Sequence, residues 1–320
     1  MKNNILFQML VVGAIAFSSC KKDKETSVLK PEPDAQTLTQ VEDNNDSKSE
    51  SDQANTDVTD ALDNFKSISG GRVAVVNERK IICGCSIDSV GSRTIRLSYD
   101  GETPCGNPSR TRSGTITFQL VEGNQWKFPG AKVKITLNNY KVTKLSNQKS
   151  WTFNGVKYIT NVRGHLNWSG YLERTDSLLY RERAKDIKIT LNSGKVITYN
   201  VARTTSLKYV RYSNRDVIQF AANGDTTFSD LQLSNVDSWG SNQFGNSFTS
   251  NYLTRLISDS YCFFWRPKSG TILHKANGNS VTLTFGVNEN GNADTRDCAY
   301  GWKLNWSISN GIVGDKIISY

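Results

Sequence analysis

The sequence predicts an all-β fold, either one antiparallel β-sandwich or two tandem β-sandwich subdomains, that follows a disordered tether. Two observations predict this class. From Arg72 onward apolar and polar residues alternate with a period of two, which gives each strand one apolar and one polar face. Turn-forming pairs such as Asn154-Gly155, Asn277-Gly278 and Asn290-Gly291 separate the alternating runs, and the 320 residues contain only six prolines to interrupt them.

The first 19 residues have the layout of a secretory signal peptide. Lys2 is positive, residues 5–17 form a short apolar run, and Ser18 and Ser19 are small residues of the kind that precede a cleavage site. This run is too short to cross a bilayer as a helix, which needs ~20 residues. A signal peptide cut near Ser19 and a short anchor helix are the two plain interpretations.

The residues around Cys20 carry a more specific resemblance. Ser18-Ser19-Cys20 resembles a lipobox, where lipoprotein signal peptidase cleaves before a lipid-modified cysteine, although Phe17 departs from the usual Leu. The charged residues 21–25 resemble the stretch after the lipidated cysteine in surface-exposed lipoproteins of Bacteroidota-type bacteria. The resemblance implies acylation of Cys20 and an outer-membrane location, at the cell surface or on the periplasmic face, with membrane lipid as a partner.

Charge is distributed unevenly along the chain, whose net charge is +9. Residues 1–20 carry only Lys2, and residues 21–70 carry six lysines against twelve aspartates and glutamates. Residues 71–320 therefore hold a net +14. A basic body can attract an anionic surface polymer, but its cations are scattered through the strands, as on an ordinary soluble surface.

The acidic stretch is poor in apolar residues, so it cannot bury enough surface to offset its ordering entropy. We therefore expect residues 20–66 to form a lipidated, disordered acidic tether and residues 67–320 to form the β-rich ectodomain. A short helix is predicted over Asp57–Lys66, because four apolar residues fall at helical spacing, namely Val58, Ala61, Leu62 and Phe65. If the ectodomain has two subdomains, their boundary is expected near residues 202–216.

The strands follow from the alternating runs in chain order. Each run places its apolar residues on one parity, as a half-buried strand requires. Tyr252–Ile257 breaks the alternation and predicts a short helix instead. The predicted strands are 95–99, 116–120, 133–137, 162–172, 187–191, 197–201, 281–287 and 302–308.

Six cysteines restrict the disulfide scheme. With Cys20 lipidated, five cysteines remain in an oxidising compartment, so one thiol is left over. Cys83 and Cys85 cannot easily bridge to each other, because strand residues two apart point the same way at poor disulfide geometry. One of the two is expected to pair with Cys105, and we favour Cys85–Cys105. The second expected bridge is Cys262–Cys298.

No catalytic, cofactor or metal site is predicted. His165 has outward parity, His274 is the only other histidine, and no nucleophile elbow occurs. Residues 288–297 are rich in oxygen ligands but lack EF-hand spacing, so a turn explains them better than calcium. Paired carboxylates could hydrolyse glycosides, and the candidates lie beside turns or other charges. These candidates are Asp100, Glu102, Glu173, Asp176, Asp186 and Asp216.

Aromatic residues are the best candidates for ligand contacts. Trp168, Trp302 and Trp306 share parity with apolar neighbours and are expected in the core. Trp126 and Trp239 lie in polar, glycine-containing stretches, and with Trp265 they are predicted as ligand contacts that could stack on a sugar ring. Trp151 is a further candidate. A glycan or an anionic surface polymer is the expected partner. No nucleic-acid motif occurs, and the sequence leaves the oligomeric state open.

A second resemblance lies in the body of the chain. Cys105-Gly106 followed by Arg110-Thr-Arg-Ser-Gly114, with Asn139-Tyr140 at the end of the next strand, resembles uncharacterised Bacteroidota-type secreted lipoproteins. The resemblance implies secretion, lipidation and a β fold, and it supplies no catalytic residues. The expected function is therefore a membrane-anchored envelope protein whose non-catalytic ectodomain binds a ligand or partner. The alternatives are a carbohydrate-binding lipoprotein of a glycan-uptake system and a cell-surface glycoside hydrolase.

Overall fold

A computed structural model gives the structure of most of the chain. It describes residues 35–64, 82–106, 109–165, 177–212, 215–225, 236–262, 266–307, 311 and 313–320. The predicted signal peptide, Cys20 and residues 21–34 lie outside the described residues, as do Trp168 and Trp265. Among the helices of the described part, none is long and apolar enough to span a bilayer.

One helix and fourteen strands make up the described structure. The helix is α1, Ala35–Asn64. The strands are β1 Cys85–Gly91, β2 Thr94–Asp100, β3 Arg110–Glu122, β4 Ala131–Lys144, β5 Ser150–Asn161, β6 Ser177–Leu191, β7 Val196–Tyr212, β8 Arg215–Gly224, β9 Val236–Ser241, β10 Ser247–Asp259, β11 Ser269–Ala276, β12 Asn279–Val287, β13 Gly301–Ser307 and β14 Val313–Ser319.

All fourteen strands belong to one antiparallel sheet, so the all-β class is confirmed. Strands that follow each other in sequence are neighbours in the sheet, except around β8 and β9. These two strands share one position, because β9 pairs with the first half of β7 and β8 with the second half. The predicted boundary at residues 202–216 is not seen, since paired strands run through it and residues 31–320 form one compact unit.

A line of β-bulges crosses the middle of the long strands and bends the sheet. The pairing register shifts beside Gly114 in β3, Asn139 in β4, Gly155 in β5 and Asp186 in β6. Bulges bend a strand and increase its twist, so four in adjacent strands curve the sheet along one line. Gly114 is required there: its φ is 83°, and a Cβ would lie 2.0 Å from the Asn139 carbonyl oxygen.

Helix α1 lies across the concave face of the curved sheet. Its side chains contact β11 through Gln40 and β2 through Asp57. Eight strand spacings separate β2 from β11, about 38 Å along the sheet, whereas seventeen helical residues span only about 26 Å. The sheet must therefore curve around the helix, and it buries α1 on nearly every side.

The predicted disordered tether is therefore wrong for residues 35–64. Helix α1 has no wide apolar stripe, so its sequence is that of a solvated segment when the rest of the chain is left out of account. Its second half supplies Ala54, Val58, Ala61 and Leu62 to the main apolar core, and each is 0% exposed. These residues are spaced i, i+4, i+7 and i+8, so the helical spacing noted at Asp57–Lys66 was the visible end of a longer helix.

Two apolar clusters lie on the inner side of the sheet. The larger one joins β1 to β7 with the second half of α1. The smaller one joins Val41 of α1 to β10, β11, β12 and β13, with Trp306 inside it and Trp302 against it, as predicted for these two tryptophans. Helix α1 therefore contributes to both clusters and connects them.

Two local predictions are wrong because of bulges. Tyr252–Ile257 is part of β10, and register shifts after Tyr252 and Thr254 break the period-two pattern that would have identified a strand. Asn154-Gly155 forms the bulge of β5 instead of a turn between strands. By contrast, Asn277-Gly278 forms the predicted two-residue turn between β11 and β12.

Two disulfides fix the ends of the sheet. Cys262–Cys298 is confirmed, with a Cα–Cα distance of 5.3 Å. The other bridge is Cys83–Cys105, with a Cα–Cα distance of 5.9 Å, so the favoured pairing Cys85–Cys105 is wrong. The thiol of Cys85 is free because Cys85 begins β1 with its side chain buried on the inner face. Burial raises the pKa of this thiol to about 12, which makes it unreactive.

Candidate functional site at the helix–sheet interface

Six charged side chains form a network between α1 and the concave face. We call Lys48, Asp52, Lys157, Glu182, Arg203 and Asp237 the charge network. Arg203 donates to Glu182 with its Nε at 2.7 Å and also contacts Asp52. Lys48 donates to Asp237 at 2.6 Å, and Lys157 lies 3.4 Å from Glu182. Three cations therefore face three carboxylates, which compensates their charges inside the fold.

Burial and pairing set the protonation of this network. Burial alone favours the neutral acid at Glu182, but Arg203 and Lys157 outweigh it and lower the pKa to about 2. Burial lowers the pKa of both lysines, and Asp237 beside Lys48 and Glu182 beside Lys157 oppose that effect. Each charge thus depends on a partner that belongs to another element.

The second half of α1 is held by a further set of polar contacts. Tyr99 of β2 donates to Asp57 at 2.7 Å, and Arg112 of β3 lies 3.5 Å from the same carboxylate oxygen. Arg110 pairs with Glu50, two turns earlier in the helix. Acidic side chains of the helix meet basic side chains of the strands, which explains why an acidic segment and a basic body occur in one chain.

The first half of α1 contacts the sheet through neutral groups around His274. The Gln40 amide lies 2.8 Å from Nε2 of His274, and Ser250 Oγ lies 2.9 Å from Nδ1. Asn44 also donates to Ser250 Oγ, at 3.1 Å. A neutral imidazole protonated on Nδ1 satisfies both contacts, and burial lowers the pKa of His274 to about 4.

Two small cavities, each about the size of a water molecule, flank this contact. Asn44 and His274 line both of them. Lys48, Asp237 and Ser250 also line the first cavity, and Asn242, Gln243 and Phe248 also line the second. We call the two cavities and their lining the His274 site.

Buried polar atoms without a hydrogen-bond partner in the described chain line this site. They are Oδ1 of Asn44, Oδ1 of Asp237 and Nδ2 of Asn242. Asp237 is 0% exposed, and its Oδ1 lies 3.8 Å from Arg203 Nη1, beyond hydrogen-bonding distance. Because buried polar groups in proteins are nearly always paired, often by water, such atoms around two water-sized cavities mark a place for a small polar molecule.

The tryptophans predicted as ligand contacts do not gather at one place. Trp126 is 0% exposed and stacks on Tyr180 with ring centroids 5.7 Å apart, so its prediction as a contact is wrong. Trp151 is buried as well. Trp239 is half-buried in β9, between Ser238 and Gly240, which pair with Ser250 and Phe248. Trp239 pairs with Thr249, whose neighbours Phe248 and Ser250 line the His274 site, so Trp239 lies on the opposite face of the sheet.

Of the candidate catalytic carboxylates, the structure describes the side chains of Asp100, Glu102 and Asp186, and the last two are exposed. Asp100 accepts hydrogen bonds from the backbone amides of Glu102 and Thr103, which makes it a turn-capping residue. Asp186 lies exposed at the bulge of β6. Glu173 and Asp176 fall outside the described residues. His165 is exposed, as its parity predicted.

The oxygen-rich stretch 288–297 forms a turn, as expected. Asn288 Oδ1 accepts from the amides of Asn290 and Asn292, and Arg296 pairs with both Asp294 and Glu289. The two carboxylates are therefore occupied by a guanidinium. Within the described part of the chain, no three or more His, Cys, Asp and Glu side chains are grouped to hold a metal ion.

The fold and the site together define a single-sheet β protein whose concave face is covered by a polar helix. Incompletely paired polar groups lie where this helix contacts the sheet. A scan of protein-family models and searches of curated proteins and of solved structures gave no match to the chain. The site must therefore be interpreted from its own chemistry.

The charge network predicts that Arg203 is required for stability. Arg203→Met leaves the buried Glu182 carboxylate without its main cation, and breaking such a pair typically costs about 3–5 kcal/mol of unfolding free energy. Urea denaturation followed by tryptophan fluorescence measures this loss. Arg296→Met is the control, because its ion pairs are exposed and should leave the midpoint nearly unchanged. Equal midpoints for the two variants would show that the network is not a stabilising centre.

The buried imidazole predicts a loss of stability in acid. With a pKa of about 4 in the fold, His274 binds its proton more readily when unfolded. Its contribution is complete above pH 6.5 and is lost as the pH falls towards 4, by up to about 3 kcal/mol. Burial raises the pKa of Asp43 to about 6, so Asp43 changes the unfolding free energy with pH in the opposite direction.

The comparison of wild type with His274→Gln isolates the histidine, because Asp43 is present in both. The unfolding free energies of wild type and His274→Gln, measured from pH 4 to 7, should converge as the pH decreases. A difference that stays constant with pH would contradict a neutral, buried His274.

Proposed function

We propose that this protein is a lipid-anchored cell-envelope protein with a non-catalytic ectodomain that binds a ligand at the His274 site. The observation that carries the proposal is the group of unpaired buried polar atoms on Asn44, Asp237 and Asn242 around two adjoining cavities. A buried polar atom without a partner costs about 1–3 kcal/mol. A fold that keeps three of them at one place gains when a polar ligand pairs them.

The contacts of α1 support a site that can open. Ala54, Val58, Ala61 and Leu62 fix the second half of the helix in the apolar core. Among the side chains described in the first half, from Thr39 onward, Val41 is the one in an apolar cluster, and hydrogen bonds and the Lys48–Asp237 pair hold the others. Local opening is favoured where few apolar contacts must be broken. Movement of the first half alone would join the two cavities.

The membrane anchor is supported by the sequence around Cys20. The small residues at 18 and 19, the apolar run before them and the charged residues after Cys20 favour acylation. The odd count of the other five cysteines agrees with this, because four form bridges and Cys85 is a buried thiol.

Cys20→Ser should abolish acylation, because the serine oxygen is not a substrate for thioether formation. The expected result is an unprocessed precursor without incorporated fatty acid, and altered partition between detergent and aqueous phases. Metabolic labelling with a fatty-acid analogue measures the first, and Triton X-114 partition measures the second. Cys85→Ser is the matched control, since that thiol is buried in the ectodomain. Unchanged labelling of Cys20→Ser would contradict the anchor.

Ligand binding can be tested by thermal shift on the full chain carrying Cys20→Ser. The screen covers neutral sugars, acidic sugars, short peptides and fatty acids. At least one class should raise the melting temperature of this protein. The same compounds should not raise the melting temperature of the Asn44→Leu variant, because the leucine fills the space that Asn44 shares between the cavities. Asn147→Leu, in an exposed turn, should keep the shift. Shifts of equal size in both variants would place binding elsewhere, and no shift in any class would contradict the proposed function.

A further inference from the structure

We propose that the convex face of the sheet binds a linear anionic polysaccharide across strands β4, β5 and β6. This surface lies on the other side of the sheet from α1 and the His274 site, so the inference goes beyond the ligand proposed there. It rests on the proposed envelope location only for the choice among polyanions. Three properties carry it: the cations on these strands, an exposed aromatic ring among them, and the neutralisation of the opposite face by α1.

Seven cations lie on the convex side of β4 and β6. In β4, Lys132 and Lys134 flank the buried Val133, and β6 alternates in the same way around the buried Glu182. Glu182 and Asp186 are the acidic residues of β4, β5 and β6, and Glu182 faces α1 with the charge network. The convex side of these three strands therefore carries seven cations and one carboxylate. We call the seven cations the basic face: Lys132, Lys134, Lys141, Arg181, Arg183, Lys185 and Lys188.

The strand register places four of these cations around one tyrosine. Lys134 pairs with Tyr158 of β5, which in turn pairs with Arg183. In the next outward row, Lys132 and Arg181 lie on the two sides of β5 in the same way. Two strand spacings separate β4 from β6, about 10 Å, and two residues along a strand span about 7 Å. Cations that are scattered in the sequence are therefore neighbours on the folded surface, in an area comparable to a disaccharide.

Tyr158 offers an aromatic ring in the middle of this polar surface. It is 36% exposed, and the Lys132 ammonium lies 5.5 Å from its ring centroid. A sugar ring can place an apolar C–H face on such a ring while an acidic group on its rim pairs with the adjacent cation. Tyr158 and Lys132 supply both contacts side by side, which favours an acidic sugar over a neutral one.

Ion pairs with carboxylates of the chain leave positive charge in excess on the basic face. Arg181 and Arg183 contact the same buried carboxylate, Asp225, at 3.5 and 2.7 Å, so two guanidiniums share one negative charge. Lys132 pairs with Glu122 at 2.8 Å, but the Glu122 side chain is 60% exposed. Exposed pairs contribute little to stability, so a polyanion can compete with Glu122.

Helix α1 neutralises the opposite face and leaves the convex side as the basic one. Arg110, Arg112 and Arg203 on the inner face all pair with carboxylates of α1. A basic surface attracts polyanions over about a Debye length, roughly 8 Å in physiological salt. A flexible linear polymer can follow a convex surface, whereas a planar bilayer would contact only part of it. Under the proposed envelope location, polysaccharide is the linear polyanion that this face would meet.

Two matched triple variants separate the basic face from the net charge of the chain. The first removes three cations of the basic face that are exposed or half-buried: Lys134→Gln, Lys141→Gln and Lys188→Gln. The control removes three cations from β11, β13 and β14, which lowers the net charge equally: Lys275→Gln, Lys303→Gln and Lys316→Gln. A third variant, Tyr158→Thr, removes the ring and keeps a residue suited to a strand.

The experiment is biolayer interferometry on the full chain carrying Cys20→Ser. The probes are polygalacturonate and dextran sulfate, with neutral dextran, single-stranded DNA and vesicles containing phosphatidylglycerol for comparison. Both anionic polysaccharides should bind at low salt and more weakly as salt rises, and dextran should not bind. The basic-face triple variant should bind polygalacturonate at least about tenfold more weakly, and the control triple variant should stay within about twofold of wild type. Tyr158→Thr should weaken polygalacturonate binding severalfold, and the melting temperatures of all variants confirm that they are folded.

The outcomes distinguish this inference from the proposed function. Equal weakening by the two triple variants would show that net charge acts without a defined face, which overturns the assigned surface. Tighter binding of DNA or vesicles than of either polysaccharide, or an unchanged Tyr158→Thr variant, would overturn polysaccharide as the partner. If neither anionic polysaccharide binds at low salt, the inference is wrong. The thermal-shift screen of the His274 site and the labelling of Cys20 are independent of all these results, so the proposed function stands or fails separately.

Discussion

The pairing of the acidic helix α1 with basic side chains on the concave face is the interaction on which this structure depends. Helix α1 carries eight acidic residues and one lysine, and its partners Arg110, Arg112 and Arg203 come from strands on different parts of the sheet. Its apolar residues join the two core clusters of the sheet. Without the helix, the sheet would expose both clusters, and Arg110 and Arg112 would lose their carboxylate partners. The curvature produced by the bulges and the presence of the helix therefore require each other.

This arrangement divides α1 into two halves with different roles. The second half packs alanines, a valine and a leucine into the core, where loss of contact is costly. The first half meets the sheet through amides, hydroxyls and the Lys48–Asp237 pair, and several polar atoms there have no partner in the described chain. Buried polar contacts that are incompletely paired stabilise the helix position weakly, and they break readily. A ligand site and a structural anchor can thus occupy one continuous helix.

Much of the sheet could be predicted from period-two alternation, because a half-buried strand has a local signature. The bulges at Asn154-Gly155 and in Tyr252–Ile257 could not, since an extra residue erases that signature. Helix α1 was missed because its burial depends on ion pairs with distant strands. A usable signal did exist: Lys157, Glu182, Arg203 and His274 share parity with core residues of their strands. A charged side chain on the core face requires an oppositely charged partner inside the fold. The acidic segment was the part of the sequence that could supply carboxylates to Lys157 and Arg203.

The position of α1 also changes what the acidic segment means for the proposed anchor. A disordered tether from residue 21 to 66 would have 46 residues and could reach about 160 Å when extended. With α1 beginning at Ala35, only 14 residues separate it from Cys20, which limits the reach to about 50 Å. Those residues join α1 at the half that forms the His274 site. Under the proposed function, the segment that carries the anchor therefore enters the ectodomain at the half of α1 that forms the His274 site.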